Sequence, residues 1–472
     1  MFNNQLTTKV VPLTVVLGSA ILISTSAFAR SNVYADFPVT LKDYSGSATT
    51  SVSYKGQMAR HSLESSLKKL ISKGDISAMQ SYYSGDDANR AIIAPATKGD
   101  FIIKQSTIGE LSNKNLSGKT YKGLVPGWVG SMTGPEVVAF MFEKAAESEG
   151  GYDAAHAMDY TQLVSKFLMG AVTYNQAVDN YLDEKLESDN KPNNKPYKDG
   201  AAYTGKEHSW DEAFGYFGAP AHTLTLTAQN VYDIAKQKDA AVADYNYDGM
   251  VDLYNEMAFG HAYYASSFDK GGKTTYLHDI VGAYMDGRDL ITSVNGRALS
   301  DSERDELKGY AQTIKTNWEK VIAEAVFKYA GSTYKDMMKI EAILESGGDV
   351  SKEWRNYSKH WGELKGFALA LQVAGKDMGA TSVKLNRLIG YSPLLLGNTQ
   401  VIGIDSNGEY VQSDAETWGG YMVHMLKVQN LMVDEFGVVA RSNDQTAGLS
   451  DLVNSLGAKS SAENDRFFCK LY

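Results

Sequence analysis

Apolar side chains recur every three to four residues over several long stretches, the spacing of a single helix face. In SVSYKGQMARHSLESSLKKLISKGD the recurring positions are Met58, Leu63, Leu67, Leu70 and Ile71. In YTQLVSKFLMGAVTYNQAVDNYLDEKL, residues 160–186, the face is Val164, Phe167, Leu168, Ala171, Tyr174, Val178, Tyr181 and Leu182. GPEVVAFMFEKAAES, residues 134–148, puts Pro135 in a first helical turn, where the missing N–H costs nothing. LSDSERDELKGYAQTIKTNWEKVIAEAVFKYAG predicts a second long helix capped at Ser302, and further helices fit 334–346, 351–374 and 413–436. With only nine prolines in 472 residues to interrupt them, these segments predict an all-α, bundle-like fold. The Gly/Lys/Ser-rich stretch 98–127, around FIIK, is expected to be a small β excursion.

Ahead of the first helix the pattern changes. VVPLTVVLGSAILIS follows Lys9 as an apolar run too short to favour a membrane span. Ala27-Phe28-Ala29 fits a signal-peptidase site, so residues 1–29 are expected to be a leader cut after Ala29, with export to the periplasm. Residues 30–53 read as an extended segment, 54–270 as a first helical half and 271–472 as a second. An echo supports related halves: Trp210, Glu212, Gly215 and Tyr216 repeat the W-x-E-x-x-G-aromatic spacing of Trp361, Glu363, Gly366 and Phe367. The single cysteine, Cys469, cannot close an internal disulfide, so the fold relies on its core. A net charge of −10 and a pI of about 5.4, with no basic run, argue against nucleic acid as a partner. No later stretch has the 18 uninterrupted apolar residues of a membrane span.

Candidate chemistry concentrates in DYNYDGMVDLYNE, residues 244–256. A calcium loop needs hard oxygen donors at alternate positions, a glycine at the turn and a late acidic ligand. Asp244, Asn246 and Asp248 fill positions one, three and five; Gly249 is sixth, the Met250 carbonyl seventh and Asp252 ninth. Position twelve is Asn255, and Glu256 comes one residue late, so either could close the site. The competing reading is an Asx-rich turn with Asp252 capping a helix. A second candidate is EHSWDEAFGYF. His208 and Glu212 are four apart, and His360 and Glu363 three apart, so each pair shares a helix face. If the halves pack face to face, the four could hold iron or zinc, or support a metal-assisted hydrolase. The remaining histidines stand alone in sequence. HExxH, GxSxG, Walker, GxGxxG and CxxC motifs are all missing.

SYKGQMARHSLESSLKKL, KFLMGAVTYNQAVDNYL, EHSWDEAFGYFG, DYNYDGMVDLYNEMAFGHA, TNWEKVIAEA and KHWGELKGFALALQ, in that order, resemble the DUF4856 family of exported bacterial proteins. The resemblance spans about 37–472 and implies that Glu256 closes the loop. That family is in turn distantly similar to imelysin-like proteins, which are helical, two-bundle and tied to iron uptake, with a G-x-H-x-x-E motif. His360 and Glu363 keep that spacing, with Ser358 where glycine stands; His208 has Lys206 there and its Glu four residues on. The resemblance implies an exported binding protein with a structural calcium loop, serving periplasmic iron or metal acquisition. The alternatives are a periplasmic hydrolase, or a protein docking on an outer-membrane receptor or other periplasmic partner.

Overall fold

A computed structural model describes residues 32–187, 190–375 and 377–457. The expected leader and Cys469 lie outside the described residues. In chain order the helices are α1 (Lys55–Ile71), α2 (Ile76–Ser84), α3 (Ile108–Leu111), α4 (Gly134–Ala146), α5 (Tyr160–Leu168), α6 (Gly205–Phe217), α7 (Ala228–Ala235) and α8 (Ala240–Ala243). They continue as α9 (Gly260–Asp269), α10 (Tyr276–Ser293), α11 (Asp301–Glu345), α12 (Ser351–Leu371), α13 (Gly379–Ile389), α14 (Trp418–Phe436) and α15 (Leu449–Leu456). Among the described residues, two antiparallel hairpins are the regular strand ladders: β1 (Tyr152–Asp153) with β2 (Met158–Asp159), and β3 (Thr399–Ile404) with β4 (Tyr410–Asp414). The fold is all-α with small β additions, and among the described residues no helix is long and apolar enough to cross a membrane.

The apolar periodicity holds in three dimensions. Every residue named above for the faces of 55–71 and 160–186 is buried. The second of these does not stay an α-helix: after α5 the chain widens into π turns over Met169–Tyr174 and Gln176–Tyr181. The long helix differs at both ends from its sequence reading. Its cap is Ser300, whose hydroxyl accepts the Glu303 N–H while the Glu303 carboxylate returns to the Ser300 N–H. It also passes through Gly331 without ending, merging two expected helices into 45 residues, about 68 Å at 1.5 Å per residue. Gly331 is a notch: a Cβ there would collide with the Asn443 carbonyl, so the glycine admits a loop instead of stopping a helix. Residues 410–414 are strand, and the helix expected from 413 starts at Trp418. In the 98–127 stretch the β character amounts to isolated bridges, among them Lys98 with Phe101 and Ile103 with Val251.

Helices from both sides of residue 270 interleave, with α10 packed on α6 and α11, and α12 on α5 and α11. Glycines set the α5–α12 approach. A Cβ on Gly366 would stand 2.5 Å from the Lys166 Cβ, and one on Gly362 3.1 Å from the Asp159 carbonyl oxygen. The extended segment before α1 is held by a buried ion cluster. Arg288 of α10 donates through Nε to Asp211 Oδ1 (2.9 Å) and through Nη1 to Glu207 Oε1 (3.2 Å). Its Nη2 donates to Ser51 Oγ (2.6 Å), and the Tyr34 hydroxyl donates to Asp211 Oδ1 (3.0 Å). All three charges are fully buried and every one is met, as such burial requires.

Candidate functional site

The chain from Asp244 to Glu256 is turned by its own side chains. Asp244 accepts the Asp248 N–H on Oδ1 (3.1 Å) and the Gly249 N–H on Oδ2 (2.8 Å), and Asn246 Oδ1 also accepts the Asp248 N–H (2.9 Å). Gly249 takes φ +83°, a left-handed conformation that a side chain would strain. Asp248 Oδ1 accepts the Met250 N–H (3.0 Å). Val251 then forms a parallel bridge with Ile103, its N–H donating to the Ile102 carbonyl (2.7 Å) and its carbonyl accepting the Lys104 N–H (3.0 Å). FIIK thus buttresses the loop from far upstream, and sequence reading gave no sign of that pairing.

The same buttress brings a cation. Lys104 Nζ lies 2.8 Å from Asp248 Oδ2 and 3.7 Å from Asp252 Oδ2, which holds the Asp248 carboxyl below its ordinary range. Gln105 clasps the loop as well, donating to Asp252 Oδ1 (2.7 Å) and accepting the Leu253 N–H (2.9 Å). Among the described residues no three His, Cys, Asp or Glu side chains converge as a ready metal cluster. The carboxylates of this loop are turned instead to backbone N–H groups, Lys104 and Gln105.

Asn255 and Glu256 separate cleanly. The Asn255 side chain accepts the Tyr54 hydroxyl (3.2 Å), and its carbonyl accepts the Ala221 N–H (2.7 Å), so it faces away from the loop centre. Glu256 is fully buried; its Oε2 accepts the Asp252 N–H (2.7 Å), and its Oε1, near the Asn246 N–H, makes no well-formed hydrogen bond. Burial pushes its carboxyl up to about 7, with Asp244 and Asp252 adding to the rise against backbone N–H groups of Asp252 and Asn246 that oppose it. Of the two candidates for the closing ligand, Glu256 is the one aimed inward.

The loop's other side lines a cleft of about 620 Å³. Tyr245, Tyr254 and Asn255 come from the loop, Tyr203 from the approach to α6, Asp36 from the first segment and Lys55 from the start of α1. The Lys55 ammonium lies 5.4 Å from the centre of the Tyr254 ring.

The two histidine blocks do not meet. His208 stacks on Tyr203 with ring centres 4.6 Å apart, and its Nε2 lies 3.7 Å from Glu212 Oε1, which accepts from Gln57 (2.8 Å). Burial lowers the His208 pKa. His360 instead pairs through Nδ1 with Asp336 Oδ2 (2.5 Å), and Glu363 faces the charges of Lys68 on α1 and Lys328 on α11. No hydrogen bond, ion pair or ring contact joins the blocks, so the four-residue iron or zinc site expected from face-to-face halves is not formed. The reason lies in packing: α6 turns its buried face to α1 and α10, and α12 to α5 and α11. The echo does have a structural meaning. Each tryptophan is fully buried with its Nε1 donating, Trp210 to the Tyr284 carbonyl and Trp361 to the Tyr421 hydroxyl, both at 2.8 Å. Each glycine admits a neighbour, Gly215 the side chains of Tyr54 and Gln57, and Gly366 that of Lys166.

Comparison with curated proteins and with solved structures finds no match, and the further likeness to imelysin-like proteins gains no support from it. The model of one family, described as a domain of unknown function (DUF4856), matches residues 55–376. That span takes in the three charges of the ion cluster, the 244–256 loop and both tryptophan blocks, and the chain belongs to the DUF4856 family.

Proposed function

We propose that this is an exported binding protein in which the 244–256 loop takes one calcium ion, and that the ion fixes one wall of the tyrosine-lined cleft. The observation that carries the reading is the buried Oε1 of Glu256, which makes no well-formed hydrogen bond, behind Asp244, Asn246, Asp248 and Asp252. A buried carboxylate oxygen without a partner is costly, and a hard cation is a partner it fits. The turn, the glycine and the Val251 bridge already give the loop its course. Binding would draw Asp248 and Asp252 inward and release Lys104, whose ammonium now answers their charge. Because Tyr245 and Tyr254 belong to the same thirteen residues, bracing the loop braces the cleft.

The test is thermal unfolding of the chain in EDTA, then with calcium restored, beside Asp248→Ala and Glu256→Gln. Calcium should raise the melting temperature of the parent with a half-maximal concentration of about 10⁻⁴ to 10⁻³ M. The rise should be lost in both variants, and magnesium, which holds its water more tightly, should not reproduce it. An unchanged melt with calcium would leave 244–256 as a hydrogen-bonded turn and overturn the reading.

A further inference from the structure

The rings that line the cleft beside the 244–256 loop are held in place before any ligand arrives. Tyr203, Tyr245 and Tyr254 are each half-buried, and each rests on a second ring. Tyr203 stacks on His208 at 22° with centres 4.6 Å apart, and Tyr245 on His222 at 24° and 5.0 Å. Tyr254 leans on Tyr54 at 43° and 4.6 Å. What remains of each tyrosine lines the cleft. The backbone behind them is tied to the Arg288 cluster. Asp211 Oδ2 accepts the Ser53 N–H (3.2 Å), and Glu207 Oε2 accepts the Thr204 N–H (2.8 Å) next to Tyr203. Walls fixed in this way leave little ordering for a ligand to impose.

The lining chemistry narrows what can bind. Its charged side chains are Asp36 and Lys55, whose charges cancel, so nothing favours a strongly ionic ligand. Thr49 and Ser53 bring hydroxyls, which both donate and accept. Asn255 gives its Oδ1 to the Tyr54 hydroxyl, which leaves Nδ2 to donate. Aromatic surface beside groups of this kind suits a molecule with an apolar C–H face and a rim of hydroxyls. A sugar ring has that form. The volume of about 620 Å³ falls within the roughly 300–1,000 Å³ of small-molecule sites. Tyrosines drawn from two separate segments offer more than one place to stack, which favours a chain of sugars over a single one.

We infer, resting on the reading of the chain as a binding protein, that the cleft holds a neutral oligosaccharide. Its rings lie on Tyr203, Tyr245 and Tyr254, and its hydroxyls bond Thr49, Ser53 and Asn255. The calcium loop supplies two of the three tyrosines, so the ion sets how tightly the sugar is held.

Calorimetric titration of the whole chain with maltotriose, cellotriose and N,N′-diacetylchitobiose tests it, each in calcium and in EDTA. At least one should bind in calcium with a dissociation constant below about 1 mM, and more weakly in EDTA. Its affinity should change less than about twofold between about 0.05 and 0.5 M salt, as a neutral ligand requires. Tyr203→Ala and Tyr245→Ala should each weaken it at least about fivefold. The two lie on separate segments, so one remains informative should the other fail to fold. A calcium-dependent melt with no sugar bound up to about 10 mM would overturn the oligosaccharide and leave the loop standing. Equal sugar binding in calcium and EDTA, with an unmoved melt, would remove the ion and leave the oligosaccharide. The zwitterionic dipeptide glycyl-tyrosine serves as the competing probe, and its binding in place of every sugar would overturn the assignment. Full affinity in both tyrosine variants would place the sugar outside the cleft and overturn it as well.

Discussion

The helices α6 and α12 carry the same W-x-E-x-x-G spacing and handle buried charge in opposite ways. On α6, Glu207 and Asp211 are fully buried and joined to Arg288, Thr40, Tyr34 and the Ser53 N–H. The result is a closed polar network that ties the N-terminal segment to two helices. On α12, Glu363 reaches no donor, and Lys365 is fully buried with a single bond from Nζ to the Gly390 carbonyl (2.6 Å). The first arrangement has the form of a structural fastening. The second leaves hydrogen-bonding capacity unused. The shared spacing therefore encodes a packing device, a buried tryptophan beside a glycine notch, and says nothing about what the acidic residue between them does.

The largest effect should come from opening the closed network. Arg288→Met strands two buried carboxylates, and the expected loss is about 3–5 kcal/mol, read as a fall in the midpoint of chemical denaturation. A loss near zero would show that the network is not the fastening described. Lys365→Met tests the open side through pH. Burial lowers Lys365 to about 7 from the ordinary 10.5, so between those values the unfolded chain holds a proton that the folded chain has released. Stability from this group must then rise with pH across that window, and at pH 7 and below the cost of burying the charge is present in full. Parent stability should rise by on the order of 3 kcal/mol from pH 7 to pH 10 relative to Lys365→Met. Parallel pH profiles would remove Lys365 from the comparison.

Gly366→Ala probes the notch. Its new methyl would meet the Lys166 Cβ and force α5 and α12 apart, at an expected cost of about 1–3 kcal/mol in thermal unfolding. The smallest effect belongs to Glu363→Gln, which removes no hydrogen bond and should cost about 1 kcal/mol or less. The same change at Glu207 breaks its charge-assisted bond to Arg288 and should cost several times as much. Equal costs at the two positions would erase the contrast.

The legible parts of this molecule were those set by local chemistry. Apolar spacing gave the buried faces of α1 and of 160–182, and the alternating oxygens of 244–252 marked the loop. Gly331 misled because a glycine in a helix is read as a stop, while its use here depends on Asn443, more than a hundred residues away. The cap expected at Ser302 lies at Ser300; both serines precede acidic residues, and only backbone geometry separates them. Asn255 and Glu256 were distinguished by Tyr54, and Lys104 entered the loop through a bridge to Val251.

The π turns that follow α5 bear on how this family can change length. A π turn is an α-helix that has accommodated an extra residue. The two between Met169 and Tyr181 therefore store slack: losing one residue there lets the chain tighten to ordinary winding while the flanking helix keeps its facing. In α12, between Gly362 and Gly366, there is no such reserve. A single deletion would rotate everything beyond it by about 100° and pull the glycines off α5. Relatives of this chain should accordingly vary in length within 169–181 and hold constant length through 361–371, a difference that sequencing across the family would reveal.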